Sequence, residues 1–180
     1  MSFNAKSITC VYDLRQDRLN LQFNDANQAQ MIGHMTRQFL KELLTQLPDW
    51  LMQQQAAHGM PQSVEQQRAI HAFRHQMSQQ HIPVSYEKKI VDRQIESFLI
   101  HSITLTKNKP ASENNHQRIK LEFLDGTQTI KTAIVFTIEQ LHKLIGEILK
   151  QVRNWDLIDP WSIDNDRLLA AANAKNDLMH

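Results

Sequence analysis

A chain of 180 residues with 20 basic and 19 acidic side chains is long enough for one domain with a sizeable core, and its near-neutral balance removes any global electrostatic case for wrapping nucleic acid or lying on an anionic membrane. The single cysteine, Cys10, excludes an intrachain disulfide framework. No apolar run reaches the length of a membrane span, and the start Met-Ser-Phe-Asn-Ala-Lys lacks the apolar stretch of a signal peptide. The expectation is a soluble protein of a reducing, bacterial-type cytoplasm.

From the N-terminus, strands are predicted over residues 8–12, 18–23 and about 28–35. Alternation is clearest in the second, where Leu19, Leu21 and Phe23 share one face. A helix follows, with Phe39, Leu40, Leu43, Leu44 and Leu47 at three- and four-residue spacing, the stripe that covers a sheet. Pro48 has no amide hydrogen to give to the preceding turn and should end or kink this helix, which resumes over 51–57.

Gly59 and Pro61 mark a break. Ser63 with Gln66 reads as a capping box opening a helix to about residue 80. Ile70, Phe73 and Met77 are its expected buried stripe, which leaves His71 and His75 on a solvated face. Pro83 should end it, and 86–95 suggests a further short helix. His71-x-x-x-His75 could grip a metal ion, with His58 and His81 nearby, but Ala72 stands where a metalloprotease signature requires Glu. The pair is therefore expected to be solvated and dispensable for folding, and no metal or other cofactor is implied.

About a hundred residues on, the first pattern returns. Ser7-Ile8-Thr9 is echoed by Ser102-Ile103-Thr104, Arg18-Leu19-Asn20-Leu21-Gln22-Phe23 by Arg118-Ile119-Lys120-Leu121-Glu122-Phe123, and Thr36 by Thr137. Self-similarity of this kind suggests one supersecondary unit used twice. In the second copy Asp125-Gly126 should close a type I′ hairpin, and the strand over 129–136 should bring Ile130, Ile134 and Phe136 to one face. Thr137 caps a helix whose buried stripe is Leu141, Leu144, Ile145 and Ile148. Trp50 and Trp155 stand near the ends of the copies. The polar stretch 107–117 is the expected mobile loop, and 162–174 reads as a last helix.

The predicted fold class is α+β: an internal duplication of a three-stranded antiparallel meander plus covering helix, with a helical insertion between the copies. Residues 1–52 form the first unit, 53–97 the insertion, 98–157 the second unit and 158–180 a helical tail, all in one compact domain.

Chemistry has little purchase. Cys10 aligns with Leu105 and reads as a small core hydrophobe rather than a nucleophile. The four glycines build no phosphate loop, and no Gly-x-Ser-x-Gly elbow occurs. Lys107, Lys109, Arg118, Lys120 and Lys131 could line a charged sheet face, but Glu122 lies among them and no aromatic residue interleaves for base stacking. Asp156, Asp159, Asp164 and Asp166 fit no EF-hand spacing. The expected function is non-catalytic: an adaptor, scaffold or assembly factor working through protein contacts, with Met60, Ile82, Val84 and Tyr86 as the partner-binding surface. The partner is a protein of unspecified identity, a second copy of the chain being one option. Nucleic-acid association through the charged sheet face is the alternative, and a metal-dependent enzyme at the central histidines a weaker one.

Overall fold

Alternating apolar residues set the centre of each half. Leu19, Leu21 and Phe23 of β3 (Arg18–Asn24) are buried, as are Ile119, Leu121 and Phe123 of β7 (Arg118–Leu124), while Asn20, Gln22, Lys120 and Glu122 between them are not. The computed structural model describes residues 3–56, 63–84, 95–108 and 118–162. In chain order the remaining elements are β1 (Phe3–Asn4), β2 (Ser7–Asp13), β4 (Gln30–Met35), α1 (Arg37–Ala56), α2 (Val64–His81), β5 (Glu96–Leu99), β6 (Ser102–Asn108), β8 (Ile130–Thr137), α3 (Ile138–Gln151) and a 3-10 turn at Arg153–Trp155. The fold is α+β, with two four-stranded sheets.

The strand orders are β2-β3-β4-β5 and β1-β8-β7-β6. Each sheet is an antiparallel meander from one half plus a short parallel strand lent by the other: β1 pairs with β8, and β5 with β4. The exchange is reciprocal. Ala5 donates its amide to the Ala133 carbonyl at 2.9 Å and Lys6 to Asn24 at 2.7 Å, just as Ile100 donates to His34 at 2.9 Å and His101 to Leu124 at 2.9 Å. The sequence reading contains neither lent strand. A two-residue strand shows no periodicity, and β5 pairs with a distant half rather than with its chain neighbours.

The turns after β3 and β7 are also alike. Asp25 accepts from the amides of Asn27 and Ala29, and Asp125 from those of Thr127 and Thr129. Gln28 and Gln128 take the left-handed backbone, with φ of 64° and 61°. The expected two-residue type I′ turn at Asp125-Gly126 is therefore replaced by a longer one closed from Asp125 to Thr129. A register shift follows at Phe123/Leu124. It leaves Ile130 exposed and puts Thr132, Ala133 and Ile134 consecutively inside, so the face expected for Ile130 does not hold.

Helix α1 runs unbroken through Pro48. Leu47 and Leu51, on either side of the proline, are both 1 % exposed, and their packing holds together a helix that the missing hydrogen bond weakens by about 3 kcal/mol. Thr137 caps α3 with a full capping box, its hydroxyl accepting from the Gln140 amide at 3.2 Å and the Gln140 side chain accepting from the Thr137 amide at 2.9 Å. Leu40, Leu44 and Leu47 of α1 and Leu141, Ile145 and Ile148 of α3 join both sheets in one apolar cluster. Cys10 packs against this cluster opposite Leu21, as Leu105 does opposite Leu121. Burial, with the Glu147 carboxylate second, pushes its thiol up to about 12, so at neutral pH it is an unionised hydrophobe.

Candidate functional site: a buried histidine cluster beneath an outward apolar stripe

Helix α2 begins where Ser63 and Gln66 cap it reciprocally, as expected, but its faces are reversed. His71, His75 and Ser78 are buried, whereas Phe73 is 61 % exposed and Met77 38 %. At about 100° per residue, positions 71, 75 and 78 share one face, while 73 and 77 lie on the far side and Ile70, between the two, is half-buried. The expectation of a solvated His71/His75 face is overturned.

The reason lies on α3. Its apolar stripe already faces the sheets, and the side it turns to α2 carries His142, 0 % exposed, with Lys143 and Gly146. The surface offered to α2 is polar, so α2 docks with polar residues. His71 Nδ1 lies 3.3 Å from His142 Nε2, a contact in which one ring donates and the other accepts. Gln79 Nε2 donates to the His142 carbonyl at 2.9 Å, and Lys143 Nζ donates to the Gln79 carbonyl at 2.9 Å. Gly146 makes the approach feasible, since a Cβ there would fall 2.3 Å from the Gln79 side-chain amide.

The segment after the 3-10 turn closes the cluster. His75 Nε2 lies 3.2 Å from Asp159 Oδ2. The Trp161 indole stacks on His75, with centroids 5.2 Å apart, and meets His142 edge-on at 4.6 Å. Asp159 also accepts from the Trp161 amide at 3.0 Å. Burial, followed by the positive charge of Arg74, depresses His71 to about 4. Burial also takes His142 down to about 3, with His75, His71 and Arg74 adding to it. Both rings are neutral at physiological pH. Burial alone would raise the Asp159 carboxyl, but hydrogen bonds from His75 and the Trp161 amide hold it below the usual range.

This docking surface has unmet polar atoms. His71 Nε2, His75 Nδ1, His142 Nδ1, Trp161 Nε1 and Gln79 Oε1 are buried and have no hydrogen-bond partner among the described residues. Each such group costs about 1–3 kcal/mol, which weakens the attachment of α2 to α3. No group of three or more His, Cys, Asp or Glu side chains is placed to hold a metal ion among the described residues.

Of the expected contact residues, Ile82 is the half-buried C-cap of α2 and Val84 is 38 % exposed. Met60 and Tyr86 lie outside the described residues, as do 86–94 of one expected helix, the other beyond Ser162, 109–117 of the expected loop, and His58, Asp164 and Asp166; the loop's first residues, Lys107 and Asn108, belong instead to β6, paired with β7. The basic residues of the second sheet are partly neutralised, Lys120 by Glu122 and Lys131 by Glu96, the latter at 2.7 Å. The sequence reading missed His142, Asp159 and Trp161 as partners of the central histidines. A signal for them existed: His71, His75 and Ser78 recur at helical spacing, and α3 carries His142 and Gly146 four residues apart.

No known family model, curated protein or solved structure matches this chain. No helix among the described residues is long and apolar enough to cross a membrane.

Proposed function

We propose that the protein is a non-catalytic binding protein of the cytoplasm, an adaptor, scaffold or assembly factor, and that the outward face of α2 is its contact surface. The observation that carries this reading is the reversed helix. Phe73 and Met77 stand in water although the same helix buries two histidines and a serine. Exposing a phenylalanine forgoes about 1.5–3 kcal/mol of burial, and aromatic and methionine side chains are the types enriched where proteins meet. Val84, beyond the helix end, is a further exposed apolar side chain. The matching turns and the reciprocal β1 and β5 pairings support a further reading, that the two halves descend from one unit, with α2 as the element that makes them unequal.

Replacing Phe73 and Met77 together with Ser tests the proposal. The variant is expected to melt like the parent and to lose the protein that crosslinks to the parent in its native cell. Parent-like crosslinking by a folded variant moves the contact surface elsewhere. The nucleic-acid alternative draws less support, because Lys120 and Lys131 are already paired with carboxylates, and it would show as strongly salt-dependent binding to DNA or RNA.

A further inference from the structure

We propose that the junction of α2 with α3 is a proton-operated latch, in which protonation of the His71–His142 pair releases α2 while the two-sheet core stays folded. The inference concerns the support beneath the proposed contact surface, but its test reads docking and not partner binding, so either can fail without the other.

The geometry supplies the trigger. His71 Nδ1 and His142 Nε2 share one hydrogen bond at 3.3 Å, and such a bond needs a bare nitrogen on one of the two rings. When both rings carry two N–H groups, two donors and two positive charges face each other in a site that is 1 % exposed on one side and 0 % on the other. The surroundings add to the conflict. The titratable and charged groups acting on the pair are Arg74 and His75 from α2 and Asp159 from the C-terminal segment, with Lys143 next to His142 on α3. Lys143 is held by Glu147 at 3.2 Å and Asp159 contacts His75, so each nearby carboxylate already has another partner. Neutral rings fit the depression of both groups by burial.

The release is local because of where the cluster sits. His142 faces α2, while Leu141, Ile145 and Ile148 of the same helix belong to the apolar cluster with β3 and β7. Losing α2 uncovers a polar strip of α3 and leaves the central strands in place. The buried polar atoms without partners weaken this junction, and moving elements are drawn from weakly held segments.

Hydrogen exchange of the full chain, corrected for the intrinsic pH dependence of amide exchange, tests the latch. Between about pH 7 and pH 5, the range in which histidine ordinarily takes up a proton, α2 amides are expected to lose protection by more than about tenfold and to exchange far faster than those of β3 and β7, which lose only what the fall in global stability takes and stay folded. Replacing both rings, His71→Leu with His142→Leu, removes the trigger and keeps an apolar contact, so this variant should hold α2 at pH 5. The idea is overturned if α2 amides in the parent exchange at pH 5 no faster than those of β3 and β7, that is, only through complete unfolding, or if the double variant releases α2 at the parent's pH. An NMR titration of the parent's imidazole signals provides a measurement that needs no variant. Titration of His71 and His142 in step with α2 release supports the latch, whereas titration with α2 still docked, or stoichiometric zinc at these rings in untagged protein, refutes it.

Discussion

Phe23 and Phe123 occupy the same place in the two halves, each the last buried residue of a central strand, and their rings meet across the core with centroids 4.9 Å apart and planes inclined at 59°. Each ring thus fills space for the opposite sheet as well as for its own. Phe123→Ala is expected to cost about 3–5 kcal/mol, the range for emptying an aromatic core site, measured as a shift of the urea midpoint at unchanged slope. A variant as stable as the parent would mean that the two sheets do not share this core.

Those two phenylalanines were legible because strand periodicity is local: Leu19, Leu21 and Phe23 alternate with polar residues, and so do Ile119, Leu121 and Phe123. The capping residues Ser63 and Thr137 were legible for the same reason, since each is satisfied within three residues. The inward turn of His71 was not. On α2 alone, Ile70, Phe73 and Met77 make the better core stripe, and only the polar side of α3, more than sixty residues away, reverses the preference. The lent strands β1 and β5 failed to show for a related reason, because their hydrogen bonds lie wholly with the other half. The residue alignment served better than periodicity at Cys10, whose packing matches that of Leu105.

Asp17 ties three parts of the chain together. It sits in the turn after β2 with a φ of 49° and accepts from the Tyr12 hydroxyl at 2.6 Å and the Trp155 indole at 2.9 Å, and Arg37 pairs with it at 3.2 Å. The hydrogen bonds from Tyr12 and Trp155 hold its carboxyl below the usual range. The stability this adds is present above the ordinary aspartate pKa and is lost as pH falls below it. Asp17→Ala is expected to lower the melting temperature, and Asp17→Asn, which keeps an acceptor oxygen and tolerates the left-handed backbone, to lower it less. Equal loss in both would assign the effect to the charge alone.

Gly146 sets how closely α3 approaches α2. In Gly146→Ala the new methyl group would strike the end of Gln79, a flexible side chain that can swing away only by giving up its bond to the His142 carbonyl. That loss, about 0.5–1.5 kcal/mol, opposes a gain of about 1 kcal/mol from replacing glycine inside a helix. Global unfolding in urea should therefore change little, while proteolytic nicking in α2 should become faster at neutral pH. Slower nicking would show that Gln79 does not anchor the helix.

The buried imidazoles make stability depend on pH in a definite direction. His71 at about 4 and His142 at about 3 lie below the ordinary histidine value in the unfolded chain, about 6.5. The unfolded chain therefore binds more protons as pH drops from that value toward the folded ones. The stabilisation is complete above about pH 6.5, declines through the window beneath it, and is gone once both folded groups are protonated. Asp159, also depressed, adds its own loss only at lower pH, below the ordinary aspartate value. The free energy of complete unfolding in urea is expected to fall from about pH 7.5 to about pH 5 by at most roughly 4 kcal/mol for the two rings. Release of α2 caps the fall at the energy of its docking. In His71→Leu with His142→Leu the same comparison should be nearly flat. A parent whose stability is constant or rising across that interval would show that the two rings take up protons in the folded state as readily as in the unfolded chain, and the neutral cluster would have to be abandoned.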